Sequence, residues 1–304
     1  MAREIIGFCR FSFFGRSDTK ISFDDKEVAF EALYNPARME ARFALFERLF
    51  LPSMAAQTDP DYRLIVLSSM VMPEPYRERL TALCKTVPQI ELVLSEQENL
   101  AAEMHRYTLD PKLAGRGLLQ FRIDDDDALS QNFIARLRKW DSVLQDRMVL
   151  TLPRGLMLYD DQTDVRCNPM YRNLTGAGFA FATDGPAQKN VFGFAHIAAG
   201  RRFAYVSDPS LHSFIQTFTA SSDTAFRAQR KIRKFLEASG VRWDGDHSKE
   251  TQLALERDFP NFDLLTLGEI HKDAQRATLS HFCERLVSML AWRHRRLHHW
   301  SASR

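Results

Sequence analysis

Cysteine is scarce in this sequence. The 304 residues hold four, Cys9, Cys84, Cys167 and Cys283. No two are close together, so there is no C-x-x-C pair and no zinc-finger spacing. Scattered, reduced thiols are the expectation for a cytoplasmic protein. Glycine and proline are also few, at 13 and 12. That excludes a collagen-like or low-complexity chain. Charge of one sign is lacking too: 41 Lys and Arg against 39 Asp and Glu leave +2. So even a balance gives no electrostatic footprint for nucleic acid, and no nucleic-acid partner is expected. No uncharged apolar run approaches the ~18 residues of a membrane span. The opening MAREIIGFCRFSFFG carries Glu4 and Arg10 where a signal peptide would be apolar, so a cytoplasmic location is expected. Neither G-x-x-x-x-G-K-[ST] nor G-x-S-x-G occurs, which argues against a P-loop nucleotidase and a serine hydrolase.

What is present is an ordinary globular composition, 45% hydrophobic and 26% charged, with 23 phenylalanines. A phenylalanine-rich core follows from it. Short apolar runs alternate with amphipathic stretches, which is the α/β pattern. Strands are expected over 5–11, 62–67, 90–94 and 118–123. A polar loop is expected from residue 12 to about Tyr34. Asn35-Pro36 then starts a helix as N-cap and first residue, and Leu51-Pro52-Ser53 disturbs or ends it. Residues 148–152 and 156–159 read as paired strands around Pro153-Arg154-Gly155. Another strand is expected over 177–182, a helix over 190–200 and a short strand over 203–206. From about Phe226 the chain reads as helices with basic faces. A boundary is placed near position 220, dividing a domain over 1–220 from a helical extension over 221–304.

The informative motif is FRIDDDDAL, residues 121–129. Four consecutive carboxylates repel one another, and folding does not require them. They follow a buried strand, and open α/β sheets bind ligands outside the carboxyl ends of their strands. In an extended chain Asp124 and Asp126 face one side and Asp125 and Asp127 the other. A divalent cation would relieve the repulsion, and Mg²⁺ or Mn²⁺ commonly shares carboxylate and phosphate oxygens. A solvated acidic turn capping the next helix is the competing explanation.

Three stretches carry a family resemblance: Arg10-Phe11-Ser12 at the first strand end, residues 38–68, and LLQFRIDDDDAL at 118–129. Over about residues 5–220 the chain resembles the rhamnosyltransferase family, which is similar to glycosyltransferases of the GT-A fold. The resemblance implies an α/β architecture with a GT-A-like, Rossmann-type mixed sheet flanked by helices. It implies transfer of a sugar, with rhamnose indicated by the family name, from a nucleoside-diphosphate sugar to a glycan or lipid-linked acceptor. It also implies Mn²⁺ or Mg²⁺ at a DxD-type motif. Donor contacts are then expected from Arg10, Phe11, Ser12, Arg122, Asp124 and Asp125. Metal contacts are expected from Asp126 and Asp127, with His212 as the added histidine and His196 and His247 as its alternatives. An inverting transferase needs a base for the acceptor hydroxyl. Asp208, in Ser207-Asp208-Pro209, is the first expectation and Asp223 the second, with Asp184 behind them. Asp208 equally fits a helix N-cap. Arg38 and Arg42 share a helix face and read as solvated charges. The tail AWRHRRLHHW mixes arginines with tryptophans and fits peripheral contact with an anionic membrane. Two other readings stay open: a metal-dependent phosphoryl or nucleotidyl transferase, and a non-catalytic nucleotide-binding scaffold.

Overall fold

The computed structural model describes residues 2–16, 23, 25–160, 164–219, 232–242 and 246–277. Asp223, Cys283 and the basic aromatic tail lie outside these residues.

Four neighbouring strands build the parallel part of the first sheet. They are β1 (Glu4–Arg10), β2 (Arg63–Ser69), β3 (Ile90–Ser95) and β4 (Leu118–Asp124). All pair in parallel. Their side chains alternate between two apolar layers, with Leu64, Val66, Leu119 and Phe121 on one face and Ile65, Leu67 and Leu118 on the other. In β1, β2 and β4 both faces are covered, which is why these strands read as continuous apolar runs. Gly7 lies where β1 passes under Phe121, and a Cβ there would stand 2.2 Å from the ring.

At Asp124 the chain leaves this sheet. It turns through Asp125–Asp127 and enters a second sheet at β5 (Ala128–Leu129). It returns to the first sheet with β6 (Val149–Thr151), then crosses again at Leu152-Pro153 to β7 (Arg154–Asp160) and β8 (Val165–Tyr171). The strands expected on either side of Pro153 therefore do not pair with each other. β9 (Phe179–Thr183) runs antiparallel between β4 and β6. β10 (Tyr205–Ser207) lies beside β6, and β11 (Phe214–Phe218) joins β5 and β7. Among the described residues the orders are β10-β6-β9-β4-β1-β2-β3 and β5-β11-β7-β8. The first is the expected mixed sheet flanked by helices.

Three local expectations change. The loop before Tyr34 contains a helix, Lys26–Leu33, capped by the Asp25 carboxylate on the Glu27 and Val28 amides. Asn35 caps Pro36–Leu45 as expected, but Pro52 does not end that run. A π turn over Phe46–Phe50 precedes a further helix, Leu51–Ala55. The π turn rearranges the backbone bonding just where proline supplies no N–H. Over 190–200 the only helical piece is a 3₁₀ helix at His196–Arg201.

Residues on both sides of position 220 share a core. Ala41, Leu45, Leu49, Leu156 and Ile215 pack in one cluster with Leu255, Phe259, Leu267 and Ile270. Among the described residues, no helix is long and apolar enough to cross a membrane.

Candidate active site

The switch between sheets makes the site. In register, Arg10 at the end of β1 stands beside Asp124 at the end of β4. A cleft of about 330 Å³ opens there, within the range of small-ligand sites. Arg10, Arg42, Asp124, Asp126 and Asp127 line one side. Met157, Gln216, Thr217 and Phe218, from β7 and β11, line the other. The segment after β8 closes it with Arg172, Thr175 and Gly176, joined by His196 and Ile197.

The four aspartates have four different environments. Asp124 is partly exposed, with Arg122 Nη2 3.4 Å from its Oδ1. Asp125 is completely buried and takes a two-pronged bond from the Arg42 guanidinium. Burial pushes its carboxyl up, while Arg42, Arg38 and Arg10 pull it down. The third Arg42 nitrogen donates to Asp126 Oδ2 at 2.5 Å. Asp127 accepts from the Thr217 amide at 3.1 Å and the Gln216 side chain at 3.5 Å. Burial, and then the charges of Asp126 and Asp124, hold the Asp127 carboxyl well above the usual range. Buried arginine thus neutralises two carboxylates, and burial favours a proton on the fourth.

Arg42 is therefore not a solvated charge. Its neighbour Arg38 donates to Ser12 Oγ at 2.9 Å and to the Leu33 carbonyl at 2.8 Å. Ser12 adopts φ 43°, and its carbonyl accepts from Tyr34 Oη at 3.2 Å. These bonds pin the first strand end. Phe11, expected at the donor, points into the core against Phe43 and Phe46, with ring centroids 4.9 and 5.0 Å away. Neither Phe11, Ser12 nor Asp125 lines the cleft. Arg122 stacks on Phe192 at 4.2 Å beside Asp124.

Asp208 and His212 lie elsewhere. The Asp208 carboxylate accepts from Trp140 Nε1 at 2.7 Å and the Ser210 amide at 3.0 Å, with Arg136 Nε 3.3 Å away. Burial pushes it up, but these donors outweigh that and hold it below the ordinary value. The amide bond two residues on is turn chemistry, and the carboxylate does not line the cleft. His212 is buried between Arg154 Nη2, at 3.2 Å from Nε2, and Asp258 Oδ2, at 3.6 Å from Nδ1. It also does not line the cleft, nor does His247. Asp184 pairs with Arg3. Among the described residues, no group of three or more His, Cys, Asp or Glu is placed to hold a metal ion. Arg172, His196, Gln216 and Thr217 enter the cleft from distant segments. His196 was visible in the sequence only as an alternative metal ligand.

The family model described as putative rhamnosyl transferase matches residues 4–231. The chain belongs to the rhamnosyl transferase family. It is a glycosyltransferase. No curated protein matches its sequence. Three solved structures show how far the likeness of this family member extends. S. aureus TarS 1–349 in complex with UDP-GlcNAc has TM-score 0.41 and 9% identity, with 83% of this chain and 71% of that one covered. The mannosyltransferase PcManGT from Pyrobaculum calidifontis, in complex with GDP-Man and Mn²⁺, has TM-score 0.38 and 12% identity, with 96% and 80% covered. A 4-diphosphocytidyl-2C-methyl-D-erythritol synthase has TM-score 0.30 and 12% identity, with 69% and 91% covered.

One stability prediction for this transferase follows from Asp127. A carboxyl whose folded pKa is raised favours folding when protonated. Its contribution is complete below the unfolded value, about 3.9, and is lost as pH rises through the folded value. Asp127→Asn is uncharged at every pH. The variant should therefore melt higher than the unaltered chain at neutral pH without added divalent cation. Its advantage should shrink as pH falls toward 4, about the ordinary carboxylate value. Melting curves across pH check this; an Asn variant that melts lower at neutral pH contradicts it.

Proposed function

We propose that the strand-end cleft binds a nucleoside-diphosphate sugar and transfers the sugar, a deoxyhexose such as rhamnose, to a hydroxyl of a glycan or lipid-linked acceptor. The observation that carries this reading is the convergence of Arg10, Arg42 and Arg172 with Asp124, Asp126 and Asp127 in one cleft of a rhamnosyl transferase family member.

Each group has work suited to its chemistry. Arg10 and Arg172 present guanidinium donors to the diphosphate, which gains charge as the sugar leaves. Among the described residues Arg172 has no ion-pair partner. Asp124, partly exposed at the end of β4, accepts from a ribose or sugar hydroxyl. Arg42 holds the turn that presents Asp126. Met157, Ile197 and Phe218 give the cleft an apolar side that limits water.

Asp126 and Asp127 are hard oxygen donors on a wall where burial, and like charge after it, raises the Asp127 carboxyl. That fits Mg²⁺ or Mn²⁺ held by two carboxylates together with donor phosphate oxygens, without an all-protein cage. When bound, such an ion would offset the charge developing on the diphosphate. The reading does not use Asp208 or His212. Asp223 and membrane contact through the tail concern residues outside those described.

Calorimetric titration with nucleotide sugars tests the arginine assignment. A hydrogen bond to a charged group contributes about 1.5–3 kcal/mol. Arg172→Ala should then weaken donor binding about 10- to 100-fold, at 1.4 kcal/mol per tenfold. Unchanged donor affinity would remove Arg172 from the donor site.

A further inference from the structure

We infer that the mouth of the cleft docks on an anionic lipid surface, which presents the acceptor. This deepens the donor reading above, on which its acceptor part rests.

Charge is uneven along the part of the chain that closes the cleft. Between Asp164 and Asp208 it carries Arg166, Arg172, Lys189, Arg201 and Arg202 against a single acid, Asp184. That acid is paired with Arg3, and Asp208 lies beside Arg136. Arg201 and Arg202 are exposed. Among the described residues neither forms an ion pair. Two adjacent guanidiniums without a carboxylate partner sustain a positive field.

The same segment presents apolar surface. Ile197 lines the cleft and is 61% exposed. It stands on the 3₁₀ helix His196–Arg201. Residues three apart share a side of such a helix, so Gly200 faces the same way. A Cβ built on Gly200 would lie 3.2 Å from Tyr205 Cε1. The Tyr205 ring, 44% exposed, therefore lies along bare backbone on the side that carries Ile197. At ~2 Å of rise per residue, Arg201 is about 8 Å along the helix from Ile197.

This ledge is anchored from below. Ala199 and Phe203 are buried in the apolar layer under it. The Phe203 ring meets Phe181 and Phe194 with centroids 5.0 Å away in each case. The core thus holds Ile197 and Tyr205 outward, where their exposure adds nothing to folding.

An anionic bilayer is the partner this chemistry fits. The aliphatic side chain enters the acyl boundary, the tyrosine ring sits at the headgroup level, and the arginines meet lipid phosphates. Such contributions add residue by residue. A stable protein partner needs about 800 Å² of surface a side, more than two apolar side chains and two arginines present. A second copy docked face to face would set the same cations against each other. Because Ile197 belongs to both the ledge and the cleft, the docked cleft opens at the bilayer surface. A lipid-anchored acceptor then meets it at raised local concentration.

Co-sedimentation of the full chain tests this, with vesicles of phosphatidylcholine alone and of an equal mixture with phosphatidylglycerol. We expect binding to the mixed vesicles only. Arg201→Gln combined with Arg202→Gln should weaken that binding about 30-fold, the loss of two surface cations. Its melting temperature and nucleotide-sugar affinity should stay unchanged. Ile197→Trp should be quenched by brominated acyl chains beyond the baseline set by the chain's own four tryptophans. Three results overturn the inference: no binding to the mixed vesicles, equal binding by the double variant, or no added quenching. Binding of heparin without binding of vesicles makes the partner a soluble polyanion and also overturns it. If the unaltered chain binds vesicles but no nucleotide sugar, the donor reading falls and the docking face stands. If it binds a nucleotide sugar but no vesicles, only this inference falls.

Discussion

Arg42→Met lowers folding stability by about 3–5 kcal/mol at neutral pH, the cost of removing one partner from a buried ion pair. Arg42 is 4% exposed and bonds both oxygens of Asp125, which is 0% exposed, as well as Asp126. Methionine fills similar space but leaves Asp125 as an uncompensated charge. The pH dependence follows from the causes acting on Asp125. Burial raises its folded pKa, and Arg42 is the largest influence lowering it. Without Arg42 only the smaller pulls of Arg38 and Arg10 oppose burial, so the folded value rises and the deficit grows as pH rises through it and shrinks below it. Asp125→Asn in the same chain should recover much of the loss, because the buried charge is then gone. Urea unfolding of the two variants checks this. A loss under about 1 kcal/mol, the scale of an exposed pair, would show that Arg42 is solvated after all.

Asp126→Ala has the opposite profile: a large loss of transfer and little loss of stability. Arg42 keeps its two bonds to Asp125, and Asp127 loses the stronger of two repelling charges. The melting temperature should therefore hold. Transfer should fall about 10²- to 10³-fold, the effect of removing one preorganised group that stabilises developing charge. Any Mn²⁺-dependent gain in donor affinity should vanish with it. Donor affinity unchanged in the presence of Mn²⁺ contradicts the metal assignment. Loss of folding would instead show that the Arg42–Asp126 bond holds the fold together.

The sequence showed the site's location more clearly than its composition. A run of carboxylates at the end of a buried strand has no role in core packing, so FRIDDDDAL stood out. What it could not show is that Asp124 belongs to one sheet and Ala128 to another, which sends the four carboxylates to four environments. Arg42 read as solvated because it lies next to Phe43 on a helix with other charges. Helical spacing marks a buried stripe but not the arginine at its flank that meets a buried acid. Arg172, His196 and Gln216 come from segments far apart in sequence, and no local period links them. β8 escaped because VRCNPMY is polar and carries Pro169. It is an edge strand of the second sheet, where proline is tolerated. The strands flanking Pro153 read as a hairpin because a proline between two apolar runs marks a turn equally well when the chain changes sheets.

The most direct test of the account is thermal unfolding of the full chain with UDP, GDP, dTDP, CMP, ATP and their sugar conjugates, with and without Mn²⁺. A ligand that binds only the native state stabilises it by about 2.7 kcal/mol at a hundred times its Kd. The account predicts a rise in melting temperature with one nucleoside diphosphate and its sugar conjugate, larger with Mn²⁺. A rise with triphosphates alone would contradict it in favour of phosphoryl or nucleotidyl transfer. No rise with any of them would contradict donor binding at the strand-end cleft.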